Sequence, residues 1–346
     1  MRLIKTTFQI SVLFLLISIT PGCSYYQGPS SDHFDGSRFF IKGSDHTFSD
    51  EIKWMWEMET IKWPEWINDP PQPPPVKHVK NGELRITYVN HATVLIQMDG
   101  INILTDPIWS DRAGPVSWIG PKRVRAPGLR MDDLPKIDII LISHDHYDHL
   151  DFPSLEKLVE KHHPLIFTGL GVKSRLESLS VDKLIEMDWW QEHFYSKDIK
   201  IIFVPSHHNS GRGLFDSNKT LWGGFVIKGS AGNVLFMGDT AFGEFVEQIK
   251  KRFSNFKLAI LPLGSYEKRW FMKNQHINPD EAVKIHEVLN VSQSMGIHYA
   301  TFEEHAEQTI DAHEKDLKMA LEKYRVPESR FWVLNFGEGR DVIVSD

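Results

Sequence analysis

The sequence predicts an α/β protein in which two β-sheets are sandwiched between outer helices, a four-layer αββα arrangement. Strand-like runs come first and then alternate with helical ones, twice over, which is the order such a sandwich needs. Residues with metal-ligating chemistry each stand just past a strand-like run, where α/β folds gather functional groups at one edge. A chain of 346 residues, 41% hydrophobic and 25% charged, is long enough to bury a sizeable core as one large domain or two ordinary ones.

The N-terminus carries Arg2 and Lys5, then an apolar stretch at 8–19, then Thr20-Pro21-Gly22 before Cys23. This is the layout of a secretory leader over residues 1–22. Gly22-Cys23 resembles the cleavage site of a bacterial lipoprotein, although Thr20 stands where an aliphatic residue is usual. The expected location is therefore the bacterial cell envelope, with acyl chains on Cys23 anchoring the protein to the inner or outer membrane on its periplasmic side. An ordinary signal peptide or an uncleaved anchor is the alternative. No second apolar run of about 20 residues follows, so the rest of the chain is not expected to span a membrane.

Cys23 is the only cysteine, which excludes an internal disulfide framework and any Cys-rich zinc site. A net charge of -7 without a basic stripe excludes nucleic acid as the main partner.

Residues 23–80 read as an N-terminal region in three parts. A polar, Gly/Ser-rich tether runs to about residue 43, and a Trp-rich segment at 52–67 carries Trp54, Trp56, Trp63 and Trp66. That segment either docks at a membrane interface, a zone Trp favours, or packs on the domain. A stiff Pro-rich linker at 69–75 then leads into the main domain, 81–346.

Within the domain, strands are expected at 84–89, 94–98 and 101–104, with a turn at Asp99-Gly100. The third ends in Thr105-Asp106-Pro107, where Asp106 either orients a ligand histidine or caps the turn. A loop over 108–130, rich in Gly, Pro and Arg, is long enough to wall a site. A buried strand at 137–142 precedes a helix at 152–162, whose His162 and neighbouring His163 read as a solvated end. Strands follow at 165–168, within 181–204, and at 221–227, 234–237, 258–262, 294–297 and 331–335. Helices are expected at 245–253, 279–289 and 311–324, the second opened by Asn278-Pro279-Asp280-Glu281. No internal repeat is visible in the sequence.

The stretch that organises the chain is IDIILISHDHYDHLD at 137–151. His144 and His146, two apart in extended chain, point to one side and can grip one metal ion, while Asp148 and His149 can face a second. Other strand-like runs end in Ser206-His207-His208, Asp239-Thr240 and His298. A two-metal site is the economical reading, with His207 and His208 level as candidates.

These motifs resemble a known family. HDHYDH, GDT and the later histidines are similar to the metallo-β-lactamase superfamily. The stretches ITYVNHATVLIQMDGINILTDPIWSDR, LISHDHYDHLD, GDTAF, YEKRWFMKNQHINPDEAVKIH and SMGIHYATF resemble the N-acylphosphatidylethanolamine-hydrolysing phospholipase D family, and HFDGSRFF its bacterial branch. The resemblance covers most of residues 33–340. It implies the metallo-β-lactamase fold and two Zn2+ per chain. One zinc would be held by His144, His146 and His208, the other by Asp148, His149 and His298, with Asp239 bridging them. His208 is preferred over His207 by the family's spacing from Pro205, and Asn209 replaces the family's usual aromatic residue. The same resemblance implies that Tyr147, Gln275 and His276 face the substrate, with His276 catalytic beside Asp148. Arg212 is left between contact with a phosphate or lipid head group and a structural salt bridge, and His91, His193, His286 and His313 are read as structural or surface residues.

The activity implied is hydrolysis of a phosphodiester by a hydroxide held between two zinc ions, with N-acylphosphatidylethanolamine giving N-acylethanolamine and phosphatidic acid. The partners implied are a phospholipid or other phosphodiester substrate and the membrane surface reached through Cys23; a homodimer is compatible with the sequence. A lactone or carboxylic ester hydrolase on the same dizinc site is the alternative, and a non-catalytic lipid-binding lipoprotein is the third reading.

Overall fold

The computed structural model describes residues 25–41, 48–57, 59, 61–213, 215–303 and 308–343. The leader at 1–22 and Cys23 lie outside them. No helix among the described residues is long and apolar enough to cross a membrane.

The strands form two mixed seven-stranded sheets. The first contains β1 (Leu84–Asn90), β2 (Thr93–Met98), β3 (Ile101–Thr105), β4 (Ile139–Leu141), β5 (Leu165–Gly169), β6 (Leu184–Met187) and, at its edge, β14 (Gly339–Asp341). Its order is β14-β1-β2-β3-β4-β5-β6. The second contains β7 (Glu192–Phe194), β8 (Lys200–Val204), β9 (Gly224–Gly229), β10 (Gly232–Phe236), β11 (Phe256–Pro262), β12 (Gln293–Ile297) and β13 (Phe331–Trp332), in the order β13-β12-β11-β10-β9-β8-β7. In both sheets antiparallel pairs give way to parallel ones, at β3–β4 in the first and at β10–β11 in the second. The two halves are thus built alike, although the sequence repeats nothing.

Period-two burial explains the layers. In β4, Ile139 and Leu141 join the core between the sheets, while Ile140 faces the second apolar cluster on the outer side. The outer cluster is closed by Leu155 and Leu158 of α2 (Phe152–His162), so sheet one is covered on both faces. Truncating Leu158 to Ala would cost about 3 kcal/mol. On the far side, α3 (Phe245–Arg252), α5 (Pro279–Val288) and α6 (Ala312–Tyr324) contribute Val246, Ile249, Ala282, Val283 and Leu317 to the main core. Two mixed sheets flanked by helices are the sandwich expected from the element order.

Several local expectations are corrected. His162 is 6% exposed, and its Nδ1 accepts the Ile137 N–H at 3.3 Å, so it fastens α2 to the start of the β4 run rather than lying in solvent. The run at 221–227 pairs only from Gly224, because Leu221 and Trp222 are core residues before the ladder begins. The Trp-rich segment opens with α1 (Phe48–Glu57) and divides its aromatics. Trp54 stacks on Phe271 of α4 (Arg269–Met272) at 5.0 Å, and Trp63 donates its indole N–H to the Gln308 carbonyl. Trp56 is 90% exposed and Trp66 is also exposed.

Candidate metal centre

The histidine-rich turn begins where β4 ends. After β4 the chain turns His144 and His146 to the centre, while the intervening Asp145 carboxylate takes the Arg175 Nε–H and the Gly211 N–H. Asp106, just past β3, lies against the same turn. Its Oδ1 accepts the Ser143 N–H at 2.7 Å, and its Oδ2 accepts the Ser143 hydroxyl at 2.6 Å and the His149 Nδ1–H at 2.7 Å. Asp106 therefore orients His149 instead of only capping a turn.

These bonds fix proton positions. The Ser143 hydroxyl proton goes to Asp106, so His144 Nδ1–H must donate to Ser143 Oγ, 2.9 Å away. His208 Nδ1–H donates to the Gln275 carbonyl at 3.0 Å. His144, His149 and His208 are thereby left with bare Nε2 atoms, the tautomer a metal ligand needs.

The ring nitrogens and carboxylate oxygens converge. His144 Nε2 lies 2.9 Å from His146 Nδ1, which lies 3.4 Å from His208 Nε2. Asp148 Oδ2 stands 3.0 Å from His149 Nε2 and 3.3 Å from His298 Nε2. Asp239 Oδ2 stands between these groups, 3.3 Å from His149 Nε2, 3.2 Å from His298 Nε2 and 3.7 Å from His208 Nε2. A bare His149 Nε2 facing the Asp148 and Asp239 oxygens at such distances is repulsive unless a cation or a proton lies among them. Consistent with that, the buried His149 Nε2, Asp239 Oδ1 and His276 Nδ1 have no hydrogen-bond partner. The donor set is nitrogen and oxygen only, as suits zinc and similar divalent ions. The residues present fit a metal group, and His144-His146-His208 and His91-Asp148-His149-His298 are groups able to hold ions.

The electrostatics agree. Burial raises the Asp239 carboxyl, but the adjacent His298 and His149 hold it well below the usual carboxylate range. Burial alone would lower His149, but Asp148 and Asp239 beside it push it well above an ordinary histidine, so without a metal ion their negative field draws a proton to the Nε2 position that a cation would otherwise face. Burial also holds His144 and His208 well below their usual value.

Two glycines make the packing feasible. Gly238 precedes Asp239 at φ +60, and a Cβ there would meet the Ser143 Cβ at 2.5 Å. At Gly264 a Cβ would lie 1.7 Å from the His298 carbonyl oxygen.

Residues facing the centre sort themselves less uniformly. His276 Nδ1 lies 3.8 Å from Asp239 Oδ2, and burial holds this histidine at about 4, so at neutral pH it is a neutral imidazole. Its backbone is fixed by the cap of α5. The Asn278 side chain accepts the Glu281 N–H, Glu281 accepts the Asn278 N–H and Arg269 NH2, and Arg269 NH1 donates to the His276 carbonyl. Gln275 lines the cavity and uses its carbonyl to orient His208. Tyr147 also lines the cavity, but its hydroxyl donates to the Arg212 carbonyl. Arg212 fills neither expected role. Its guanidinium donates to the Asp145 and Leu150 carbonyls and lies over the Tyr147 and Phe152 rings, which bolts the histidine-rich turn in place. His286 and His313 are structural: one bonds Ser294, the other stacks on Tyr299.

His91 is the residue the sequence reading missed. It stands just past β1, as the other donors stand past their strands, and that signal was available. It is 2% exposed, its Nε2 lies 2.8 Å from Asp148 Oδ2, and burial with the nearby His298 pushes it down to about 3.

The centre opens into a cavity of about 490 Å³. Beyond the metal-facing residues its walls are largely apolar, with Trp54, Trp63, Phe271, Met272 and Phe302. Ala113 and Pro121 of the long loop after β3 also line it.

Comparisons with known proteins agree with this geometry. Residues 101–299 match the beta-lactamase superfamily domain. The chain is 39% identical over 236 residues to N-acyl-phosphatidylethanolamine-hydrolyzing phospholipase D 1 of Caenorhabditis elegans, covering 65% of this chain and 66% of that one. It is 39% identical over 242 residues to the mitochondrial N-acyl-phosphatidylethanolamine-hydrolyzing phospholipase D of Saccharomyces cerevisiae, 68% of this chain and 51% of that one. An uncharacterized protein of Mycobacterium tuberculosis is 37% identical over 63% of this chain and 59% of its own length. The chain thus spans about half to two thirds of the curated relatives it matches. Among solved structures, a possible metal-dependent hydrolase from Veillonella parvula aligns with TM-score 0.60 at 16% identity, over 75% of this chain and 99% of that one. The metallo-beta-lactamase fold protein of Bacillus subtilis aligns with TM-score 0.53 at 15% identity, over 75% and 99%. Both likenesses show the fold. Fold, donor geometry and sequence similarity converge: the chain belongs to the beta-lactamase superfamily as a metal-dependent hydrolase, and it is similar to the N-acyl-phosphatidylethanolamine-hydrolyzing phospholipases D named above.

Proposed function

We propose that the protein is a dizinc phosphodiesterase of phospholipase D type, converting N-acylphosphatidylethanolamine to N-acylethanolamine and phosphatidic acid. The observation that carries this reading is the convergence of bare His and Asp donor atoms at the floor of an aromatic-walled cavity. The similarity to relatives bearing that activity's name supports the substrate class.

His144, His146 and His208 would hold one zinc, Asp148, His149 and His298 the other, with Asp239 between them. Zinc so held supplies Lewis-acid chemistry, lowering the pKa of water and neutralising charge on phosphate oxygens. The chain does the rest. Asp148 and Asp239 balance the ionic charge, and Asp106 and Ser143 hold His149 and His144 in the ligating tautomer. Neutral His276 offers a hydrogen bond to a substrate oxygen, with Gln275 and Tyr147 beside it on the cavity wall. The Trp and Phe side chains take acyl chain and keep water from the reacting bond.

The reading extends to the envelope, with Cys23 lipidated after removal of residues 1–22. Tyr25, two residues on, meets Arg175, which pairs with Asp145 and Asp216 beside the cavity-lining Gly211. Tyr25 is thus linked through Arg175 and Asp145 to the cavity-lining Gly211. Cys23→Ser should release the protein from membranes on fractionation.

The test of the activity is mass spectrometry of products from zinc-loaded, detergent-solubilised protein and N-acylphosphatidylethanolamine. N-acylethanolamine with phosphatidic acid is the expected result. Intact substrate, with turnover of a lactone or carboxylic ester instead, would replace the phosphodiesterase reading.

A further inference from the structure

His91 is held more firmly than a surface histidine needs. It sits in the β1–β2 turn at φ 46, a left-handed conformation unusual for a residue with a side chain. Its backbone is pinned on both sides: its N–H donates to Thr301 Oγ1 at 3.0 Å, and its carbonyl accepts the His298 N–H at 2.8 Å. The turn is thus stitched to the strand end that presents His298. The ring packs 4.0 Å from the His298 ring and edge-on to Phe302.

Its place relative to the carboxylates separates it from the other histidines of its group. His149 and His298 each face both Asp148 and Asp239. His91 pairs with Asp148 and, among the ion pairs of the described residues, not with Asp239. Asp148, His149, His298 and Asp239 already make a four-donor set. An ionised carboxylate only accepts, and 2.8 Å is the length of a charge-assisted N–H···O bond, so His91 Nε2 carries a proton and donates it.

We propose that His91 is a positioning residue: its Nε2–H holds the Asp148 carboxylate against the metal centre and so governs retention of the ion at Asp148, His149 and His298, not of the ion at His144, His146 and His208. This rests on the two-ion reading above. Loss of such a supporting bond weakens metal binding about 10- to 100-fold.

The experiment compares wild type, His91→Ala and His91→Gln, whose amide N–H can reach where Nε2 stood. Zinc content is measured after dialysis against graded chelator, and the visible spectrum is recorded at saturating cobalt(II). The expected result is that His91→Ala keeps one ion at wild-type affinity and binds the other about 10- to 100-fold more weakly. His91→Gln recovers much of the loss, and the saturated cobalt spectra coincide. Equal retention of both ions by His91→Ala would overturn the proposal. So would a folded His91→Gln variant that behaves like His91→Ala, or a changed cobalt spectrum at saturation, which would make His91 a ligand. Should His91→Ala fail to fold, His91→Gln and the cobalt spectrum still decide. A wild-type chain that binds no metal would instead defeat the two-ion reading itself.

Discussion

The first sheet delivers four donor residues from a single turn, His144 to His149 after β4, whereas the second delivers His208, Asp239 and His298 from the ends of three different strand runs. The two halves share a plan of antiparallel pairs followed by parallel ones, yet one makes a local cluster and the other a distributed set. Local spacing is enough to build the first. The second depends on the register of β8 through β12 and on close backbone approaches between their loops. The centre exists only where the two edges meet.

If each half contributes equally to the ions, one substitution on each side should be equally damaging. Asp148→Ala and His208→Ala are each expected to reduce turnover by more than the roughly 100-fold that loss of a supporting partner costs, with circular dichroism unchanged. A variant that kept near wild-type rates would remove its residue from the centre and break the symmetry of the comparison.

The distributed half should be the more sensitive to backbone crowding. Gly264→Ala forces a Cβ to 1.7 Å of the His298 carbonyl, which can be relieved only by moving the strand end that bears a donor. A loss of about 3 kcal/mol in denaturant unfolding is expected, with weakened metal retention. Unchanged metal binding in this variant would show that His298 tolerates displacement.

A smaller effect lies behind the same strand. His286 of α5 bonds Ser294 of β12, and burial holds it at about 4. Its folded value is below the ordinary 6.5, so the unfolded chain takes up the proton first as pH falls. Its contribution is complete above about pH 6.5 and is lost between there and about 4, by at most about 1.4 kcal/mol per pH unit. In urea titrations the stability gap between wild type and His286→Asn should narrow on acidification. A gap constant from pH 7 to pH 4 would contradict the assignment.

The local cluster was legible in the sequence, because residues two apart in extended chain share a side and the spacing of 144, 146, 148 and 149 is visible in one line. So was each isolated donor, as a histidine or aspartate past a strand. Residue chemistry alone leaves His207 and His208 level and only the family resemblance prefers His208; the structure agrees, with His208 Nδ1 on the Gln275 carbonyl and Nε2 turned to the centre. His91 obeys the same positional rule as the metal-facing residues, but nothing in one dimension shows that its turn lies beside Asp148. Arg212 could not be read because carbonyl acceptors leave no pattern in side-chain chemistry. The three-residue β14, Gly-Arg-Asp, has no apolar alternation and exists because the β1 edge offers it a ladder.

The most direct test of the central claim is to strip metal from the full-length protein with chelator and add zinc back while following hydrolysis of N-acylphosphatidylethanolamine. No turnover is expected in the stripped protein, and recovery is complete only as the second equivalent binds. Full-rate hydrolysis by metal-free protein would contradict that claim.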